Sequence, residues 1–381
     1  MTDTDPDAIQ PFLTMEISRA AHAMAASGAS VIHMEFGQPS TGAPKAAIAV
    51  AHRVLDADPM GYWESPALKE RLSRHYCENY GLSIAPERFI LTCGASPALV
   101  LALSAAFRPG ARIALARPGY VAYRNSLRAL GQVPVEIPCG PDSRFQLTAE
   151  ALSALDPAPD GVIIASPANP TGTILPTAEL KAIAEMCQRR GIRLVSDEIY
   201  HGLSYTDPAH SILEYAPDAF VINGFSKYFS MVGWRLGWLV APDDLRHRAR
   251  ALMSNLFLTA PSLSQHAGLA ALDAGDELRG HVATYARNRQ LLLDALPGMG
   301  LRRIAPPDGA FYIYANVGHL TDDSLAFCHR MLADTGVAAA TGRDFDPVDG
   351  HRFIRFSFAV STEETEDAIR RLHDWFARQP S

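Results

Sequence analysis

The chain has 381 residues, 48% of them hydrophobic and 20% charged, with a formal net charge of −7 and a mean hydropathy near zero. A chain of this length can bury a large core in two or three lobes. Its acidity argues against a nucleic-acid backbone or an anionic membrane as the main partner, while a few local donors suffice to hold one phosphate.

Five cysteines, Cys77, Cys93, Cys139, Cys187 and Cys328, are far apart and form no CxxC. Neither a disulfide framework nor a zinc ribbon is indicated. The thirteen histidines show no HxxxH or HExxH spacing, so no metal site is expected. The first residues, "MTDTDPDAIQPF", are acidic and lack the basic-then-apolar layout of a signal peptide. No apolar run is long enough for a bilayer, and a cytoplasmic enzyme is expected.

Taken in chain order, "VIHMEFGQP" predicts a strand running into a turn. From about Phe89 short apolar strands alternate with amphipathic helices, the pattern of an α/β domain with a largely parallel sheet. "RFILTC" is a strand, then "GAS", then a helix over "PALVLALSAAF" with Pro97 in its first turn. Further strands are "ARIALA", stopping at "RPGY"; "GVIIAS", stopping at "PANPTG"; "IRLVS", stopping at "DEIY"; and "AFVIN", stopping at "GFSK". "PTAELKAIAEMCQRRG" is a helix ending in basic residues and a glycine. Later come a long helix over "GHVATYARNRQLLLDALPGM", strands in "GAFYIYANV" and "RFIRFSFAV", and a closing helix. The expected division is a large domain over 46–285 and a smaller α+β domain built from 1–45 and 286–381.

Ligands of open parallel sheets bind beyond the carboxyl ends of the strands, and here each end carries a different chemistry. In "TCGASP" a glycine turn leads into a helix whose free N–H groups make an anion cradle, with Ser96 able to cap the helix and donate its hydroxyl. Alone, that is an ordinary helix start. Asn169 lies in a turn stiffened by Pro and Gly, where an amide can meet a fixed acceptor. Asp197 follows a buried strand, where a carboxylate needs a cation or donors. Lys227 stands among Phe, Tyr, Met and Trp, and an amine kept from water loses basicity and becomes a nucleophile. Ser226 and Arg235 beside it can bind phosphate oxygens. Together, an imine-forming lysine, a carboxylate for a ring nitrogen, an amide and a phenol, and a phosphate cradle match pyridoxal phosphate group by group.

With these motifs the chain resembles the class I/II aminotransferases, fold-type I enzymes that use pyridoxal 5'-phosphate. The resemblance runs over nearly the whole chain. It implies that Lys227 in "SKYFSMVGWRLG" is the Schiff-base lysine, with Ser226 and Arg235 on the phosphate. It gives Asn169 in "SPANPTG" and Tyr200 in "SDEIY" to the phenolic oxygen, and Asp197 to the pyridine nitrogen. Gly94, Ala95 and Ser96 fall where the family binds phosphate, and Tyr120 in "PGYVAY" where it stacks an aromatic residue on the ring. Arg355 in "RFIRFSFA" matches the clamp on the substrate carboxylate, and Gly37 in "FGQPS" a glycine lining the same site. Tyr62 matches a tyrosine that crosses a dimer interface to the partner's phosphate, although the glycine usually following it is absent. A homodimer is implied.

The implied reaction moves an amino group from an L-amino acid to a 2-oxo acid, with Lys227 as general base. Ser96 stands where an aspartate-specific branch has a lysine. The guessed pocket, Ile17, Phe36, Trp63, Tyr120 and the loop around Asn255, is mostly apolar, which favours a neutral or aromatic donor. A carbon–sulfur lyase or a decarboxylase shares every cofactor ligand. A regulator on this fold needs an added DNA-binding domain, for which 381 residues leave little room.

Overall fold

The computed structural model describes residue 9 and residues 11–379. The acidic start of the chain, residues 1–8, on which the leader reading rests, lies outside the described residues.

Twelve strands are formed among the described residues. The first, β1 (Ile32–His33), precedes a run of seven in one sheet: β2 (Phe89–Thr92), β3 (Arg112–Arg117), β4 (Val133–Pro138), β5 (Gly161–Ala165), β6 (Arg193–Asp197), β7 (Phe220–Gly224) and β8 (Gly237–Val240). Their order is β2-β8-β7-β6-β5-β3-β4. All pairings are parallel except those of β8, which is antiparallel to both β2 and β7. The expected α/β fold with a mostly parallel sheet is therefore present. Two strands escape the sequence pattern. β4 contains Pro134 and Pro138, which a ladder tolerates because β4 is an edge strand. β8 follows the lysine loop so closely that its four residues read as part of that loop.

Side chains alternate across the sheet as a period of two requires. Val162 and Ile164 of β5 enter one core with Leu194, Val221 and Trp238. Ile163, between them, enters the opposite core with Ile113, Val195 and Ile222. Both faces are thus buried, which is why these strands read as unbroken apolar runs. The helix Ala95–Ala106 covers one face. The helix Thr177–Arg190 covers the other and ends on Gly191, whose φ of 68° is left-handed.

A second, three-stranded sheet has the order β11-β12-β9, with β9 (Tyr312–Asn316), β11 (Ala340–Thr341) and β12 (Phe353–Ser357). Beside it β10 (Val337–Ala338) pairs in parallel with β1, so the two ends of the chain share one core containing Ile17, Ile32, Ile313, Val337 and Trp375. The helix Gly275–Ala295 joins the lobes: Leu278 enters the core of the large sheet, while Tyr285 and Leu292 enter that of the small one. No described helix is long and apolar enough to cross a membrane.

Candidate active site

Beyond the carboxyl ends of β2, β3, β5, β6 and β7 lies a cavity closed by residues of the small sheet and the amino-terminal segment. The sequence-predicted residues Ala95, Ser96, Tyr120, Asn169, Asp197, Tyr200, Ser226, Lys227, Arg235, Gly37 and Arg355 all line it.

Lys227 donates from Nζ to the carbonyl of Gly37. Its ammonium is pushed down to about 8, first by loss of water and then by the Arg355 charge. An amine near neutrality is what a nucleophile or a base needs. Asp197, at the end of β6, is buried; its Oδ2 accepts from the Tyr123 hydroxyl at 2.7 Å and its Oδ1 from the Ile199 N–H at 3.1 Å. Burial raises its pKa, and these two bonds oppose the rise. Both hydrogen-bond donors are neutral, and the nearby cation that favours the charged carboxylate is Lys227.

Arg355, on β12, is 2% exposed although it is an arginine. Its Nη1 donates to Asn169 Oδ1 at 2.8 Å and its Nη2 to the Glu35 carbonyl at 2.5 Å. The guanidinium lies over the rings of Tyr312 and Phe345, 4.4 and 4.7 Å from their centres. Its Nε is buried without a partner, a donor waiting for an acceptor. The side chain therefore points inward and lines the cavity.

The helix Ala95–Ala106 starts at Gly94, whose φ of 109° is left-handed and whose cap uses no side chain. Ser96 is therefore not the cap that the sequence suggests. It sits inside the first turn, with its side chain facing the cavity. A Cβ on Gly94 would come 2.6 Å from Arg235 Nη2, so only glycine lets that guanidinium lie against the helix start. Arg235 itself is left-handed (φ 53°) and donates from Nη1 to the Val232 carbonyl at 2.9 Å.

Some expectations fall elsewhere. Tyr62 is 83% exposed and does not reach the cavity of its own chain. Ile17 is core. Trp63 stacks on His266, centres 4.7 Å apart, and Asn255 caps its own helix turn through Ala251. Of the guessed substrate pocket, Phe36 and Tyr120 line the cavity. Two residues went unnoticed. Tyr123 holds Asp197, and its place one helical turn after Tyr120 was the available signal. Tyr312 bonds Tyr200, hydroxyl to hydroxyl, at 2.6 Å; nothing local in "AFYIY" distinguishes it from a packing aromatic.

The family model for aminotransferase class I and II matches residues 30–372. The chain belongs to the class I and II aminotransferases. Among its relatives, this aminotransferase is 44% identical to the valine–pyruvate aminotransferase of Mycobacterium tuberculosis, over 97% of either chain. It superposes on the crystal structure of an aminotransferase from Mycobacterium tuberculosis with a TM-score of 0.96, at 43% identity and 100% coverage of both. On the aspartate aminotransferase of Thermus thermophilus with maleate the TM-score is 0.90, at 30% identity over 98% of this chain and 100% of the other. As a member of this family it uses pyridoxal 5'-phosphate and moves an amino group from an amino acid to a 2-oxo acid. Its residues fit that cofactor: a lysine amine lowered to about 8, a buried carboxylate whose hydrogen-bond donors are both neutral, and a helix start that glycine leaves open beside Arg235.

Proposed function

We propose that this aminotransferase takes a neutral L-amino acid, aliphatic or aromatic with valine foremost, and passes its amino group to a small 2-oxo acid such as pyruvate. One observation carries the reading. Among the described residues of the chain, the charged side chains lining the cavity are Asp197, Lys227, Arg235 and Arg355, and each has a task within the common chemistry. None is left to meet a second substrate carboxylate. The relative's valine–pyruvate activity points the same way.

Pyridoxal phosphate supplies an electrophilic carbon and an electron-accepting ring. Lys227 would be its attachment point, and its free amine would take the substrate's Cα proton and pass it to that electrophilic carbon. Asp197, held by Tyr123 and Ile199, keeps the ring nitrogen protonated. The first-turn N–H groups after Gly94, with Ser96, Ser226 and Arg235, hold the phosphate. Asn169 and Tyr200 hold the phenolic oxygen, and Tyr120 stacks on the ring. Arg355 grips the substrate carboxylate, supported by Gly37 and Asn169. Residues 46–285 act as the cofactor domain, and 1–45 with 286–381 as the domain that closes over it. The enzyme works as a homodimer in which exposed Tyr62 reaches the partner's phosphate. Five free cysteines suit the reducing cytoplasm.

The test is an absorbance titration of the purified enzyme with single amino acids. Valine or alanine should shift the cofactor band to the amine form, and pyruvate should restore it. A shift with aspartate but not with valine would overturn the substrate reading.

A further inference from the structure

His22, His33 and Glu35 each offer one ligand-capable atom, and the three atoms lie within 4.8 Å of one another. His22 stands on the helix Thr14–Ala26. His33 ends β1, and Glu35 lies in the bend two residues later, close enough for the two side chains to meet. No short-range spacing reveals the cluster, because one histidine comes from a helix and the other from a strand.

The His22 imidazole is held in one tautomer, and His33 is tied to Glu35. His22 Nδ1 lies 2.8 Å from the Ser18 carbonyl, which can only accept. His33 Nδ1 lies 2.8 Å from Glu35 Oε1. With its proton on Nδ1, His22 offers Nε2 to an ion, while on His33 an ion would take the place of the Nδ1 proton, so that Nδ1 and the Glu35 carboxylate meet it together. The rings face each other with centres 4.6 Å apart. An independent observation points to a missing cation: Glu35 is completely buried, yet its Oε2 has no hydrogen-bond partner. A buried carboxylate oxygen in that condition is costly unless a cation meets it.

We propose that His22, His33 and Glu35 form a binding site for a divalent transition metal, with zinc the best match to two imidazoles and one carboxylate. Ligands share an ion at about 2.0–2.2 Å, and His22, being exposed, has the freedom to close on it. Water completes the coordination. The site adjoins the substrate clamp through the backbone, since the Glu35 carbonyl accepts from Arg355. Magnesium and calcium, which prefer oxygen ligands, are excluded by the two nitrogens.

The test uses the cofactor-loaded enzyme, stripped with a chelator and titrated with zinc against a chromophoric competitor. The wild type should bind one equivalent that excess magnesium does not displace. His22→Ala and His33→Ala should each weaken binding at least about tenfold while leaving the cofactor absorbance unchanged. If His33→Ala does not fold, His22→Ala alone decides, because that side chain is exposed. Failure of the wild type to bind an equivalent, or His22→Ala binding as tightly as the wild type, would overturn the site.

Discussion

Arg355 and Asn169 are joined by a 2.8 Å hydrogen bond from Nη1 to Oδ1, which ties β12 of the small sheet to the turn after β5 of the large one. The proposed clamp on the substrate carboxylate is thus oriented from the turn that carries Asn169. Arg355→Lys keeps the charge but loses the fork. The Michaelis constants for amino acid and oxo acid should rise about 10- to 100-fold, the worth of a charged hydrogen bond of about 1.5–3 kcal/mol, while the cofactor spectrum stays unchanged. Steady-state kinetics at saturating cofactor measure this, and an unchanged Michaelis constant would remove Arg355 from the clamp.

Tyr123 lowers the pKa of Asp197 by donating to it, against the larger upward push of burial. Tyr123→Phe leaves the ring and removes the donor, so the carboxylate protonates more readily. The acid limb of the kcat/KM profile should move to higher pH. Asp197→Asn removes the charge altogether and should cost at least about 100-fold in kcat. A pH profile that superposes on the wild type would show that Tyr123 only packs.

Lys227 bears on stability in the cofactor-free enzyme. Its pKa falls from 10.5 to about 8 on folding, so between these values the unfolded chain binds the extra proton and stability rises with pH. The penalty is present below pH 8 and relieved as pH approaches 10.5. It amounts to at most about 3 kcal/mol, and Lys227→Met should flatten that rise. Denaturant melts of the two cofactor-free proteins at pH 8 and 10 give the answer; parallel changes would contradict it.

Glu198 behaves in the opposite sense. Burial raises its carboxyl to about 8, although Ile212, Ser211 and Ser196 all donate to Oε1 and oppose the rise. The folded state holds the extra proton between pH 4.5 and 8, so stability is lost as pH climbs through that window. Glu198→Gln keeps an acceptor at Oε1 and cannot ionise. It should match the wild type near pH 4.5 and exceed it at pH 8 by on the order of several kcal/mol. Equal melting temperatures at pH 8 would show that the three donors outweigh burial.

Gly37 has no room for a side chain, because a Cβ would overlap the hydroxyl of Tyr312. Gly37→Ala should displace Tyr312, break its bond to Tyr200, and lower kcat/KM by about tenfold or more. Activity close to the wild type would mean that the segment moves aside without cost.

What the sequence determined by itself is the local chemistry. A lysine in an apolar setting, a carboxylate after a buried strand and a glycine before a helix are decided within a few residues, by desolvation and by helix ends. Five strands of the large sheet were legible because a strand buried on both faces must be apolar throughout. β4, with its prolines, and β8, short and antiparallel, were not, because neighbours in space stabilise them rather than their own pattern. The tertiary structure alone decided which distant side chains meet. Tyr312 reaching Tyr200, Tyr123 reaching Asp197, Arg355 reaching Asn169, and His22 facing His33 are contacts between elements far apart in the chain or on different elements. Periodicity tells which face of an element is buried, and only packing tells what that face is buried against.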